Sequence, residues 1–544
     1  MLDPRNTEPG LHPVSHGNGL PGTIPEALDR AADIYGDRLA VNFFGEGKSL
    51  TFASLRRDVD RLACSLARLG IARGSHVAIL LPNRLEFVVI WLAVARLGAV
   101  AVPMNVAFTA REINYVLNDS DAAFLFIDQG LLTRWREIES PPVGLDGRRV
   151  VVVGDDETGA ERYSRYDELM ADGRDSFVTS DPAGSGDLIN IQYTSGTTGF
   201  PKGAMLDHRY WLTIAVANNA VFPPGIRSIL SDHPVFYLDP PWKLVYGLIY
   251  GATVHFSPRM SSSHFMEWLR HYGIELCYFA DPVINKASVG SDRDNSVRLF
   301  LGYHYTANMV RQIEERFGAP VREMYGSTET GTTLAVPLNL PDEEILGTCG
   351  LPAYGRVCKI VDEEGGIVPA GETGELWVAG GAMFKGYYKR PDINNRVFRD
   401  GWYRTGDLFM QTPRGYFKFI GRIKDIIRRS GESVSAAEVE AVIRELPGIL
   451  EVAVTAVPDT YRDEEVKAWI LLENNLNPEA LPVNDIVSHC SKWLADFKIP
   501  RYFAYVDNLP LTASGKVAKK PLLDGQPLVG IIALVDREET IASC

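Results

Sequence analysis

The chain has 544 residues, 46% of them hydrophobic, which is ample for a core and more than one domain normally holds. Its 55 basic and 69 acidic residues leave a formal net charge of −14, which argues against general affinity for nucleic acid or an anionic membrane, so any anionic ligand must be met by locally placed basic groups. Cys64, Cys277, Cys349, Cys358, Cys490 and Cys544 lack metal-site spacing, no apolar run could span a bilayer, and residues 1–20 do not read as a signal peptide, so a reducing cytoplasm is the simplest compartment.

Beyond the irregular N-terminal stretch, Leu55, Val59, Leu62, Leu66 and Leu69 recur at helical spacing and stop at Gly70, where a helix-ending glycine belongs. Residues 76–81 read as a buried strand. A helix follows, opened by Asn83 with Glu86 three residues on and closed by Gly98, and then a second strand at 99–103. Thr109 and Glu112 open another helix in the same way, and apolar strands follow at 123–127 and 150–153. Strands alternating with helices predict an α/β fold with a largely parallel sheet covered on both faces.

Residues 193–203, Tyr-Thr-Ser-Gly-Thr-Thr-Gly-Phe-Pro-Lys-Gly, gather glycines, hydroxyls and one lysine into a single turn between two extended segments. Gly196 and Gly199 let successive N–H groups face an anion, Ser195, Thr197 and Thr198 add hydroxyl donors, and Lys202 adds a cation. This reads as a polyphosphate cradle. A nucleotide-binding P-loop would need Gly-Lys-Ser/Thr leading into a helix, whereas here Pro201 precedes Lys202, Gly203 follows it, and the chain stays extended.

A helix is expected over about 208–221. Residues 233–242, His-Pro-Val-Phe-Tyr-Leu-Asp-Pro-Pro-Trp, suit a pocket wall or a plain buried turn better than a regular element. Residues 302–306, Gly-Tyr-His-Tyr-Thr, follow an apolar run and share that ambiguity, and His304 alone reads as a structural histidine. From Gly371 onwards short glycine-bounded strands suggest a small β subdomain. After Gly421 the expected order is helix 436–446, strand 449–457, strand 466–472, helix 483–495 and strand 502–506, an α+β module of roughly 120 residues. The last stretch, 526–544, is short and partly apolar and receives no assignment.

Five separated segments together resemble one family, the adenylate-forming enzymes, which include acyl-CoA synthetases, aryl-CoA ligases, firefly luciferase and nonribosomal adenylation domains. They are 193–203; Tyr325-Gly-Ser-Thr-Glu-Thr; Tyr403-Arg-Thr-Gly-Asp; the basic, glycine-bounded run from Gly421; and Pro510-Leu-Thr-Ala-Ser-Gly-Lys. The resemblance covers nearly the whole chain. It implies a large N-terminal domain of layered sheets and helices with a β subdomain (1–420), a small mobile α+β C-terminal domain (421–526), and a tail (527–544). It also implies ATP, Mg²⁺ and coenzyme A as reactants or cofactors, a small carboxylic acid as substrate, and neither a nucleic-acid partner nor a membrane span. The oligomeric state stays open, with a homodimer as one arrangement.

Carried over residue by residue, the resemblance assigns Thr194, Ser195, Gly196, Thr197, Thr198, Gly199 and Lys202 to the ATP phosphates, and Tyr325, Gly326 and Ser327 to the nucleotide, with Tyr325 stacked beside adenine. Thr328 donates to the α-phosphate and Glu329 helps hold Mg²⁺, although a Thr-Glu pair after glycine is also an ordinary helix start. Asp407 accepts the ribose hydroxyls, Arg422 reaches the ribose and phosphate side, and Lys516 is the catalytic lysine between the attacking carboxylate and the α-phosphate. Lys424 is the hinge about which the small domain swings, and Gly431 then meets CoA. Where many relatives carry Gly-Gly-Ala-Pro this chain has 302–306, and where many have Phe-His it has Phe236 and Tyr237, features closer to a crotonobetaine/carnitine-CoA ligase-like branch. Tyr237, Trp242, Tyr303, His304 and Tyr305 are the candidate acyl-pocket residues, and they favour a small or medium polar, cyclic or aromatic acid. The competing expectations are an enzyme that loads a carrier protein and a nucleotide-binding regulator without activity.

Overall fold

The computed structural model describes residues 19–145, 147–154, 163–194, 201–284, 286–303, 305–338, 343–429, 432–459, 462–473, 476–512, 516–523 and 531–536. A strand covered on both faces needs an apolar side chain at every position, and Val150–Val153 is four valines, all buried. It belongs to a seven-stranded sheet in which His76–Leu80, Val100–Pro103, Phe124–Asp128 and Leu188–Thr194 run parallel and Lys202–Asp207 closes one edge antiparallel. Along His76–Leu80 the side chains divide by parity. Val77 and Ile79 enter the larger core, and Ala78 and Leu80 enter the core on the opposite face.

A second sheet of nine strands carries Ser228–Ser231, Leu276–Tyr278, Leu299–Gly302 and Val321–Ser327 side by side and parallel. Its strands alternate likewise: Ile229, Leu276, Leu299 and Leu301 join the core shared with the first sheet, while Leu230, Cys277 and Phe300 face an outer helix layer. The shared core explains the helix Leu85–Arg96, which is buried at every position from 86 to 95 because the helices Ile24–Tyr35 and Phe52–Arg68 and the strand Val100–Pro103 pack around it. The result is a helix–sheet–helix–sheet–helix stack of the α/β class expected. A five-stranded antiparallel sheet spans 357–422, beginning earlier than the glycine-rich texture at 371 suggests. Beyond it a six-stranded sheet with its own core carries Ala436–Arg444 and Val483–Cys490.

Three sequence expectations need correction. Asn83 does not cap the helix: Arg84 occupies that position without a side-chain bond. Instead the Asn83 amide donates to the carbonyls of His233 (3.1 Å) and Ser257 (2.9 Å) and accepts from the Val235 N–H (2.8 Å), pinning the 233–235 turn. The aromatic, proline-rich stretch is not all irregular, since Asp239–Tyr250 is a helix with Pro240 and Pro241 in its first turn, where a missing N–H costs nothing. Lastly, the unassigned C-terminal stretch contains Ile531–Asp536, an antiparallel partner of Tyr502–Val506, with Asp536 paired to Arg501 at 3.0 Å.

Trp91 is the largest side chain of the shared core; its indole donates to Asn190 Oδ1 (3.0 Å) and meets Trp211 edge-on. Trp91→Ala should therefore cost about 3–5 kcal/mol through the cavity alone, with the orphaned Asn190 carbonyl in addition. Urea unfolding followed by far-ultraviolet circular dichroism measures this, and a loss under about 1 kcal/mol would contradict the packing described.

Candidate active site

The strand Val321–Ser327 turns back into Gly331–Ala335 through a tight tip formed by Thr328, Glu329 and Thr330. Glycine is required at both shoulders: a Cβ on Gly326 would sit 2.3 Å from the Gly331 carbonyl oxygen, and Gly331 has φ +62°. Ser327 Oγ accepts from the N–H groups of Glu329 (3.2 Å) and Thr330 (3.3 Å). Each tip carbonyl also has its own donor. Tyr210 O–H donates to that of Thr328 (2.9 Å), the Phe384 N–H to that of Glu329 (2.9 Å), and Arg356 Nε to that of Thr330 (2.9 Å).

Arg356 is a residue that sequence reasoning missed. Only 2% exposed, it makes no carboxylate ion pair among the described residues and spends its remaining donors on the carbonyls of Gly381 (2.7 Å) and Ala382 (3.2 Å). Burial lowers its pKa to about 10, so it still carries its charge at neutral pH. Tyr387 was also missed. Its O–H donates to Glu329 Oε1 (2.6 Å), its ring lies 4.7 Å beneath Lys202 Nζ, and burial followed by the Glu329 charge raises its pKa. The segment around Tyr387 is held against the strand leaving the phosphate loop by N–H···O bonds from Lys385 to Met205, Met205 to Gly386 and Tyr388 to Gly203. The Gly386-Tyr-Tyr pattern was the available signal, but nothing local ties it to a hairpin some sixty residues away.

Thr194 and Lys202 pair across the base of the loop. Gly203 must lack a side chain because a Cβ there would lie 2.5 Å from Ile191. Ser195, Gly196, Thr197, Thr198 and Gly199 lie outside the described residues, as do His304, Gly431 and the side chain of Lys424. No three His, Cys, Asp or Glu side chains gather into a metal cage among the described residues. Glu329 is one carboxylate whose Oε2 has no hydrogen-bond partner there, a donor set that fits Mg²⁺ carried largely by phosphate oxygens and water.

Asp407 and Arg422 face each other in register across two antiparallel strands and pair at 3.3 Å. The other Asp407 oxygen accepts from Tyr325 O–H at 2.6 Å. Tyr325 is buried, with its ring edge-on to Phe409 at 4.8 Å. Lys516 approaches this group from the C-terminal lobe, on a turn closed by Lys516 N–H to Thr512 Oγ1 (3.2 Å) and Thr512 N–H to the Lys516 carbonyl (2.6 Å). Its ammonium is accessible to water but faces a cleft. Desolvation, then the Arg422 guanidinium, push its pKa below the ordinary lysine value, and Asp407 opposes them.

The parallel strands of the nine-stranded sheet step from this nucleotide motif to a second polar group, since Tyr325, Tyr303, Tyr278 and the Asp232-His233 pair sit at the carboxyl ends of neighbouring strands. That edge is where open α/β sheets bind ligands. Tyr303 is exposed and donates to the Tyr278 hydroxyl. Tyr237 accepts from the Asn105 amide at 2.9 Å, and Gln192, two residues before Thr194, donates to the Phe236 carbonyl at 2.6 Å. Trp242 is buried against Phe222, its indole donating to Asp239 Oδ1 at 2.9 Å. Tyr305 corrects the expectation for its position: it is buried in the outer core, packed over Gly302 with its hydroxyl on Asp281, and does not open into the crevice.

The AMP-binding enzyme family matches residues 28–388, and its C-terminal domain family matches 438–516. A crotonobetaine/carnitine–CoA ligase of Salmonella arizonae is 29% identical over 92% of this chain and 98% of its own. Among solved structures, an anthranilate CoA ligase in complex with anthranoyl-AMP superposes with a TM-score of 0.84 at 25% identity, covering 93% of this chain and 97% of that one. An o-succinylbenzoate CoA synthetase from Bacillus subtilis, in complex with an acyl-adenylate intermediate, gives 0.78 at 26% identity, covering 92% and 98%. Tyr387→Phe should weaken binding of Mg²⁺-ATP about tenfold and leave AMP binding unchanged, because the lost bond lies at Glu329; calorimetric titration reads both, and equal effects on the two nucleotides would contradict that placement.

Proposed function

The chain belongs to the AMP-binding enzyme family, and on that premise we propose that it is an AMP-forming acid–CoA ligase working in two half-reactions at one site. In the first, a carboxylate oxygen of the substrate attacks the α-phosphorus of ATP; the bond to the β-phosphate oxygen breaks and pyrophosphate leaves. In the second, the thiol sulfur of CoA, having lost its proton, attacks the acyl carbon and AMP leaves. A negatively charged nucleophile approaching a triphosphate must be met by fixed cations and donors, and these residue types supply them.

The observation that carries this assignment is the Asp407–Arg422 pair, whose two charges both act on the Lys516 ammonium. In that position its ammonium neutralises the repulsion between the incoming carboxylate and the α-phosphate, while Asp407 and Arg422 hold the ribose. Thr328, on its rigid tip, donates to the α-phosphate. Lys202 and the loop before it hold the outer phosphates. Glu329, kept in orientation by Tyr387, is the residue that would help hold Mg²⁺, which when bound supplies charge to the phosphate oxygens.

The division at 420/421 and the hinge at Lys424 belong to the same proposal. Phe417–Arg422 ends one sheet, Ile423–Asp425 makes one tight turn, and Ile426–Arg429 begins the next, so few backbone angles need to change for the lobes to rotate. Rotation would withdraw Lys516 and bring the face near Gly431 to the CoA thiol. No described helix is long and apolar enough to cross a membrane, and ATP and CoA are drawn from the cytoplasm, where we place the enzyme.

Lys516→Ala should slow acid-dependent pyrophosphate release about 100-fold or more, yet leave conversion of supplied acyl-adenylate and free CoA to thioester within about threefold of wild type. Equal loss in both half-reactions would remove the lysine from the first step alone. Thioester formed only on a carrier protein, never on free CoA, would replace the acceptor.

A further inference from the structure

The crevice beside the nucleotide motif contains a charged group that the two half-reactions do not use. Lys243 is fully buried on the helix Asp239–Tyr250, with Nζ 2.6 Å from Asp239 Oδ2, 4.8 Å from the centre of the Tyr278 ring and 5.7 Å from that of Trp242. A carboxylate with two aromatic rings is the chemistry that recognises a substrate ammonium. Here the protein's own ammonium fills it. Asp239 has no oxygen left to offer: Oδ1 accepts from the Trp242 indole, and Oδ2 accepts from Lys243 and lies 3.4 Å from His233 Nδ1.

What remains accessible is one charged donor. His233 is half-buried, with Nδ1 3.1 Å from Asp232 Oδ1 and no partner for Nε2 among the described residues. Burial opposes its charge, but Asp239 and Asp232 raise its pKa to about 9; Asp239 itself, despite burial, is held at about 2 by Lys243 and His233. At neutral pH the imidazole is therefore doubly protonated and its Nε2–H is a charged donor. Tyr303, 45% exposed, presents its ring and hydroxyl at the same spot. The turn bearing His233 is fixed by Asn83, so the donor is held in place before any ligand arrives.

Resting on the ligase assignment above, we infer that the far end of the acyl pocket takes an acid that carries an acceptor oxygen remote from its reacting carboxylate, a carbonyl, carboxylate or phenolic oxygen met by His233 Nε2–H beside the Tyr303 ring, and that Lys243 excludes acids ending in a quaternary ammonium. A second cation would have to enter beside Lys243 and His233 with both oxygens of Asp239 already engaged. A plain alkyl end would leave the His233 donor desolvated without a partner.

The test uses the full-length enzyme with three acids of equal length that end in methyl, in carboxylate and in trimethylammonium, each assayed for ATP-dependent pyrophosphate release and for thioester formation with free CoA. The expected kcat/KM is at least about tenfold higher for the carboxylate-ended acid than for the methyl-ended one, and about 100-fold higher than for the trimethylammonium acid. Lys243→Met should raise the trimethylammonium acid at least about tenfold by releasing Asp239 and the rings. Because that variant touches the core, His233→Gln, at a half-buried position, provides the second arm: it should lower kcat/KM for the carboxylate-ended acid by a larger factor than for the methyl-ended acid. A wild type that prefers trimethylammonium or methyl ends, or a His233→Gln variant that lowers all acids equally, overturns the pocket assignment and leaves the ligase assignment standing. Failure of every acid to release pyrophosphate overturns both.

Discussion

One buried carboxylate holds the site together. Asp407 accepts from Tyr325 on one oxygen and pairs with Arg422 on the other, and among the described residues its charge is what favours the proton on Lys516. Arg422 and Lys516 repel each other, so without Asp407 between them the closed arrangement of the lobes would carry two unscreened cations in a cleft. Two cations brought together by one anion also form a field into which a polyanion fits. The cost of holding Lys516 there, visible in its depressed pKa, is relieved when phosphate arrives.

The opposite wall is fixed by neutral acceptors. Beyond that of its neighbour Gly355, Arg356 gathers three carbonyls, and Tyr210 and Phe384 supply donors for two more, so the tip bearing Thr328 and Glu329 is held at each of its carbonyls. Hydrogen bonds from a charged donor are worth about 1.5–3 kcal/mol each, and a guanidinium far from any carboxylate keeps its donors for that purpose. Ala382, one of its three acceptors, sits at φ +58°, a conformation that a non-glycine residue holds only when its surroundings insist. A fixed tip with Thr328 and a separate lobe bearing Lys516 would suit the two-step ligase proposed above, in which one set of groups stays with the adenylate and the other leaves.

Much of this was legible in the sequence, for physical reasons that differ by element. The parallel strands could be read because burial on both faces demands runs such as Val150–Val153, and the helix at Ala110–Asp119 because its Thr109–Glu112 capping box is chemically local. Asn83 misled because a side chain that can cap a helix can equally pin a distant turn, and only the fold reveals which backbone groups lie within reach. Pro240 and Pro241 misled because proline breaks a helix interior but starts one comfortably. Arg356 and Tyr387 act on residues brought near by the sheets, whereas Lys243 pairs with Asp239 on its own helix and the Tyr278 ring reaches it from a strand. Tyr305 lies two residues from exposed Tyr303 yet turns into the core, over the space left by the missing side chain at Gly302.

The titration of Lys516 itself tests the shared cleft most directly, read by pH-dependent labelling of its amine in the wild type and in Asp407→Asn. The lysine should titrate below an ordinary exposed lysine in the wild type and lower still in Asp407→Asn, because the one charge that raises it is gone. A Lys516 that titrates like free lysine and ignores the Asp407 substitution would show that the two lobes do not face one site.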